Sequence, residues 1–150
     1  MRINILLRCT ECSEENYLTI KPLNIKTYRI VIMNDKNLMK RAADNIRILS
    51  VAMVEKAKSG HPGGAMGGAD FINVLYSEFL EYDPKNPYWE GRDRFYLDPG
   101  HMSPMLYGTL ALAGKYSLDD LKQFRQWGSV TPGHPEVDLA HGIENSSGPL

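Results

Sequence analysis

A helical rhythm of apolar and polar positions switches on at Lys36. Ala42, Ile46, Leu49, Met53 and Ala57 recur three or four residues apart and make one apolar stripe. Asn34 or Asp35 can cap the start, and Gly60 sits where a left-handed residue would close the end. The pattern predicts one amphipathic helix over 36–58, running into a loop "SGHPGG" at 59–64. A second helix, over about 68–80, places Ile72, Leu75, Tyr76 and Phe79 on one face. The turn-rich "DPKNPYWEGRD" follows, then "RFYL" at 94–97, a short strand candidate ended by Asp98-Pro99-Gly100. A third helix begins near Ser103, with Pro104 at its first position, and stops at Gly114. A fourth begins at Ser117 and ends before Gly128. There Ser117-Leu118-Asp119-Asp120 resembles a capping box with Asp in place of Glu or Gln.

The rhythm fails at both ends. "GSVTPGHPEVDLAHGIENSSGPL" has no usable period, and so long an irregular stretch in a compact domain is functional or disordered. Residues 1–32 mix β-branched and polar residues and contain no glycine. We read 1–32 as a leader of doubtful origin, outside the fold, and 33–150 as the domain. The alternative is an extra strand pair at 17–20 and 27–32.

Composition narrows the classes. A chain of 150 residues has room for about one domain with a real core. Seventeen basic against 18 acidic residues give a net charge of −1, so no nucleic-acid footprint is expected. No run approaches the roughly 20 apolar residues that span a bilayer, and the first residues make a poor signal or transit peptide. A cytoplasmic protein without a membrane partner is the expectation. The two cysteines, Cys9 and Cys12 in "CTEC", could be half a zinc site or a redox pair. No second Cys pair exists and the nearest histidine is His61, so we read them as incidental.

The chemistry gathers on four histidines, all expected in loops and all beside a glycine: His61, His101, His134 and His141. Glycine lets a ligand approach the main chain, and the prolines after His61 and His134 restrict each imidazole's backbone to extended conformations. Stiffly held rings beside accessible N–H groups suit anions and hydroxyl-rich ligands, and an imidazole moves protons near neutral pH. A single such histidine would be surface decoration; two copies of Gly-His-Pro, with His101 after a strand candidate, argue for more. A zinc site is the rival, but no pair has i, i+4 spacing and no acid or thiol stands at a ligand interval, so no metal ligand is assigned.

"SGHPGG" after a helix, "DRFYLDPGH" before one, "LKQFRQWGSVTPGHPE" and then "SSGPL" occur in an order that resembles the amino-terminal part of the transketolase family, from about Asn34 to Leu150. The resemblance implies an α/β fold: the opening part of a thiamine diphosphate-binding domain, a parallel sheet with flanking helices, of which this chain would be mostly helical. It implies transfer of a two-carbon ketol unit from a ketose phosphate to an aldose phosphate, with thiamine diphosphate and Mg2+, in a homodimer of carbohydrate metabolism. His61 would contact substrate and help proton transfer, His134 would bind a donor hydroxyl, and His101 would reach the diphosphate. Gly148, Pro149 and Leu150 would lie along the cofactor. His141 has no family role and is read as structural or solvent-facing. Many members carry a basic residue at Val130, and a Ser-Lys or Ser-Asn pair where this chain has Asp98-Pro99, so sugar and phosphate contacts there are open. The family's magnesium motif and its activating glutamate would lie beyond Leu150, and the chain is expected to be an inactive fragment. Two alternatives stand: a related enzyme such as deoxyxylulose-phosphate synthase, and a non-catalytic dimerisation or binding module.

Overall fold

The structure is a computed structural model that describes residues 6–8, 15–17 and 35–148. A short antiparallel pair, β1 (Leu6–Arg8) and β2 (Glu15–Tyr17), aligns Leu7 with Asn16. This is not the pair weighed at 17–20 and 27–32, most of which lies outside the described residues, as do Cys9 and Cys12.

The long helix is where the stripe predicts it, as α1 (Lys36–Ala57). Asp35 caps it, its carboxylate accepting from the backbone N–H groups of Asn37 and Leu38 at 2.9 and 3.0 Å. The other end differs from expectation. The left-handed residue is Lys58, with φ 51°, and its N–H donates to the Glu55 carbonyl at 3.2 Å. Gly60 lies two residues further on at φ 128°, in the approach to the next helix.

That next helix starts earlier than its apolar face suggests. Pro62 opens α2 (Pro62–Gly67), and His61 is its extended N-cap. Glycines at 63 and 64 argue against a helix on propensity, but proline's fixed φ favours a first turn. After Gly68 the chain continues as α3 (Ala69–Val74) and widens into a π turn over Leu75–Phe79, closed by Leu80 N–H donating to Leu75 O. The wider turn changes which residues face inward: Ile72 and Tyr76 are buried, whereas Phe79 is 61% exposed.

"RFYL" is no strand. Leu97 is buried, but its N–H donates to Asn145 Oδ1 at 3.0 Å and its carbonyl accepts from Asn145 Nδ2 at 3.2 Å. One side-chain amide thus takes the two bonds a neighbouring strand would make. A 3-10 turn at Gly100–Met102 then leads into α4 (Ser103–Leu112), which is buried from Ser103 through Leu110. At Gly108 the α4 backbone comes close to α1, where a Cβ would lie 3.6 Å from the Ile46 carbonyl and 3.7 Å from Leu49 Cβ. The short α5 (Leu118–Lys122) carries the expected capping box, Ser117 with Asp120. The core joins Ile46 and Met53 of α1 with Ile72 and Tyr76 and with Met105, Leu106, Tyr107 and Leu110 of α4. Tyr116, Leu121, Phe124 and Ile143 complete it.

Candidate functional site

Three of the four histidine loops meet at one end of this helical scaffold. His61, at the entrance to α2, and His101, in the turn before α4, stand edge to face with ring centroids 5.0 Å apart. Both are solvent-exposed. A Cβ built at Gly63 would meet nothing within 4 Å, so the backbone just past His61 is bare to an incoming ligand.

His134 reaches the same end through the backbone of residues 147–148. A Cβ at Gly100, beside His101, would fall 2.5 Å from the Ser147 carbonyl oxygen and 2.8 Å from Gly148 N, so only glycine permits this approach. Gly148, at φ 105°, lies on the His134 ring, where a Cβ would be 2.6 Å from Cγ and 2.7 Å from Cδ2. His101 is thus joined to His134 through two glycines and one peptide. Pro149 and Leu150 lie outside the described residues.

The His134 loop is pinned residue by residue. Thr131 donates its hydroxyl to Asp120 O at 2.9 Å and accepts at its carbonyl from Arg125 N–H at 3.0 Å. Tyr107 Oη donates to Pro132 O at 2.9 Å, and Ser103 Oγ to Gly133 O at 2.7 Å. Ser147 N–H donates to Pro135 O at 3.1 Å. Sequence reading missed Ser103 and Tyr107. Their signal was available: of the three hydroxyl residues on an otherwise apolar helix, Ser103, Tyr107 and Thr109, the first two stand one helical turn apart.

His141 is built differently. Its Nδ1 lies 2.6 Å from Asp138 Oδ2, and its ring stacks on Tyr116 with centroids 4.7 Å apart and planes 16° from parallel. Asp138 and Ile143 bridge on either side, closing the turn. This imidazole holds a loop shut, in keeping with its structural reading.

Among the described residues no three His, Cys, Asp or Glu side chains stand together as metal ligands. No described helix is long and apolar enough to cross a membrane.

A family model described as "Transketolase, thiamine diphosphate binding domain" matches residues 38–150. The chain belongs to the transketolase family. It is 53% identical over 118 residues to the chloroplastic transketolase-1 of Arabidopsis thaliana, covering 77% of this chain and 16% of that protein. It is 54% identical over 110 residues to the transketolase of Geobacillus stearothermophilus, covering 73% and 16%. Among solved structures it is similar to transketolase from Leishmania mexicana, with a TM-score of 0.68 and 41% identity over 75% of this chain and 17% of that one. Transketolase from Campylobacter jejuni matches at 0.68 and 45%, over 79% and 18%. The chain thus spans about a sixth of the length of these relatives. The mostly helical architecture agrees with part of a thiamine diphosphate-binding domain of the expected α/β class.

Proposed function

We propose that this chain supplies the histidine-lined wall of a ketol-transfer site that moves a two-carbon unit from a ketose phosphate to an aldose phosphate. The observation that carries the reading is the His61–His101 pair, 5.0 Å between centroids, tied to His134 through Gly100 and Gly148. Thiamine diphosphate, when bound, supplies a sink for the electrons left by the broken C–C bond.

The chain's own residues fit that group: two exposed imidazoles, and bare backbone at Gly63. His61 accepts the proton of the donor hydroxyl whose C–C bond breaks, as a positioned general base. His134 hydrogen-bonds a second donor hydroxyl, and its pinned backbone fixes where that hydroxyl sits. His101 donates to the diphosphate. Gly148 would border the cofactor when it is bound, and Pro149 and Leu150 share that role by family likeness alone. Magnesium, if it accompanies the diphosphate, needs ligands outside the described residues. The homodimer and the cytoplasmic setting belong to the same proposal, although the relatives include chloroplastic proteins. Residues 1–32 are proposed as a leader outside the fold.

The test joins the chain to any coding sequence that continues past Leu150 and adds thiamine diphosphate and magnesium. Transfer from a ketose phosphate to an aldose phosphate is expected, and His61→Asn is expected to lower kcat by about a hundred- to ten-thousand-fold. The 150-residue chain by itself is expected to be inactive. Silence of the extended protein with every donor overturns the proposal in favour of an assembly module. Preference for pyruvate as donor makes it a deoxyxylulose-phosphate-type synthase.

A further inference from the structure

Arg125 has a backbone conformation that its residue type does not favour. Its φ is +61°, and Lys58 is the only other non-glycine with positive φ among the described residues. A residue held left-handed without glycine's freedom costs about 1 kcal/mol and persists where surrounding structure demands it. Phe124 is buried just before it, and its own N–H is held by the Thr131 carbonyl at 3.0 Å. The left-handed turn throws the side chain back between two loops.

Both loops meet it at a glycine, and each glycine directly precedes a site histidine. A Cβ on Gly133 would fall 2.9 Å from Arg125 Nε, 3.1 Å from Cζ and 3.3 Å from Cγ, so the side chain lies flat along the residue before His134. A Cβ on Gly60 would fall 3.2 Å from Val54 Cγ2, 3.4 Å from Phe124 Cε1 and 3.5 Å from Arg125 Nη1, so the far end of the arginine joins Val54 and Phe124 in van der Waals reach of the residue before His61. No carboxylate among the described residues forms an ion pair with this guanidinium. Its placement is therefore set by packing on two peptides and not by charge pairing, and a planar head suits that where an ammonium does not.

We infer that Arg125 is a positioning residue: its guanidinium is a spacer between the Gly60-His61 and Gly133-His134 steps, and it sets the separation of the two imidazoles. The inference rests on the proposed roles of His61 and His134 for its meaning in catalysis, but its geometry is testable without any reaction. In the ligand-free 150-residue chain, Arg125→Ala should speed amide exchange in both loops, at Lys58, bonded to Glu55 O just before Gly60, and at Ser147, bonded to Pro135 O just after His134, by about tenfold while Leu106 and Leu110 in α4 keep their protection. Low-millimolar guanidinium, far below its denaturing range, should restore protection at both loops, and ammonium should not. Gly133→Ala attacks from the other side: it should displace the arginine and loosen the Gly60 loop although nothing at Gly60 has changed. The pair should be non-additive with Arg125→Ala. Loosening of one loop only, a uniform rise that includes α4, or rescue by ammonium as well as guanidinium overturns the inference. Failure of the transferase assay alone, with the exchange pattern intact, counts against the proposed function and leaves the spacer standing.

Discussion

The helical scaffold and the arm from Gly128 to Gly148 are held by different physics. The α1–α4 pair coheres through apolar area, and one neighbour substitutes for another at modest cost. The arm has a single 3-10 turn, Leu139–His141, and one bridge. Apart from Ile143, which reaches the core, it is held by directed polar bonds: Tyr107 and Ser103 on Pro132 and Gly133, Thr131 on Asp120, Asn145 on Leu97, and Arg92 on Glu144. Each of those bonds has one acceptor and one donor, so no second residue can stand in. The site histidines sit on the seam, His61 and His101 at the edges of the scaffold and His134 in the arm. Nonspecific packing holds the platform, and directional bonds hold the imidazole that must keep its aim.

The sharpest way to break this contrast is the pair nearest the arm's far end. Arg92 donates from Nε to Glu144 Oε1 at 2.6 Å and from Nη2 to Oε2 at 2.8 Å, with each side chain 9% exposed. Such a fork fixes both distance and plane. Arg92→Ala leaves the carboxylate buried without its partner and should cost about 3–5 kcal/mol in urea denaturation. A loss near that of an exposed pair, at most about 1 kcal/mol, would mean that the arm is not held there.

Tyr107→Phe comes next. It keeps the ring in the core but leaves the Pro132 carbonyl without its donor, which should cost about 1–3 kcal/mol. It should also blunt alkaline unfolding. Burial pushes the phenols of Tyr76, Tyr107 and Tyr116 well above their ordinary value. The unfolded chain loses those protons near pH 10 and the folded chain does not, so the stability they contribute is whole below about pH 10 and falls as pH rises beyond it. With Tyr107 gone the alkaline slope should be shallower by about one proton. For contrast, Ile46→Val in the scaffold should cost only about 0.5–1.5 kcal/mol and leave that slope alone.

What was legible in the sequence follows the same divide. A stripe of apolar residues announces α1, because burial of one helix face needs only spacing. Proline at 104 and the Ser117–Asp120 pair announce helix starts, because caps are local. The convergence of His61, His101 and His134 was readable from motif order, through family likeness. No period showed that Asn145 would stand in for a strand beside Leu97, since that bond joins residues 48 apart in the chain. The π turn that swings Phe79 outward and the left-handed Arg125 were equally hidden. Each is imposed by packing around a residue whose own preference points elsewhere.

The smallest expected effect tests a local device, the capping box at the start of α5. Ser117 Oγ accepts from Asp120 N–H at 3.1 Å, and the Asp120 carboxylate accepts from Ser117 N–H at 2.7 Å and from its hydroxyl at 2.6 Å. Hydrogen bonds from the Ser117 hydroxyl and then its amide hold the Asp120 carboxyl below its usual range. The unfolded chain binds that proton near pH 4 while the folded chain still resists it. The stabilisation is therefore present above about pH 4 and is lost as pH falls through the folded value. Ser117→Ala should cost about 1 kcal/mol at neutral pH. The deficit should shrink as the solution is acidified, because the wild-type chain then loses the same interaction. The Asp120 carbonyl also receives Thr131, so fraying of α5 should reach the His134 loop: amide exchange at Arg125, whose N–H is bonded to Thr131 O, should rise with the substitution while Leu110 is unmoved. A cap loss confined to α5, with no change at the Arg125 amide, would show that the arm keeps its aim without this helix, and that the bonds from Ser103 and Tyr107 are sufficient.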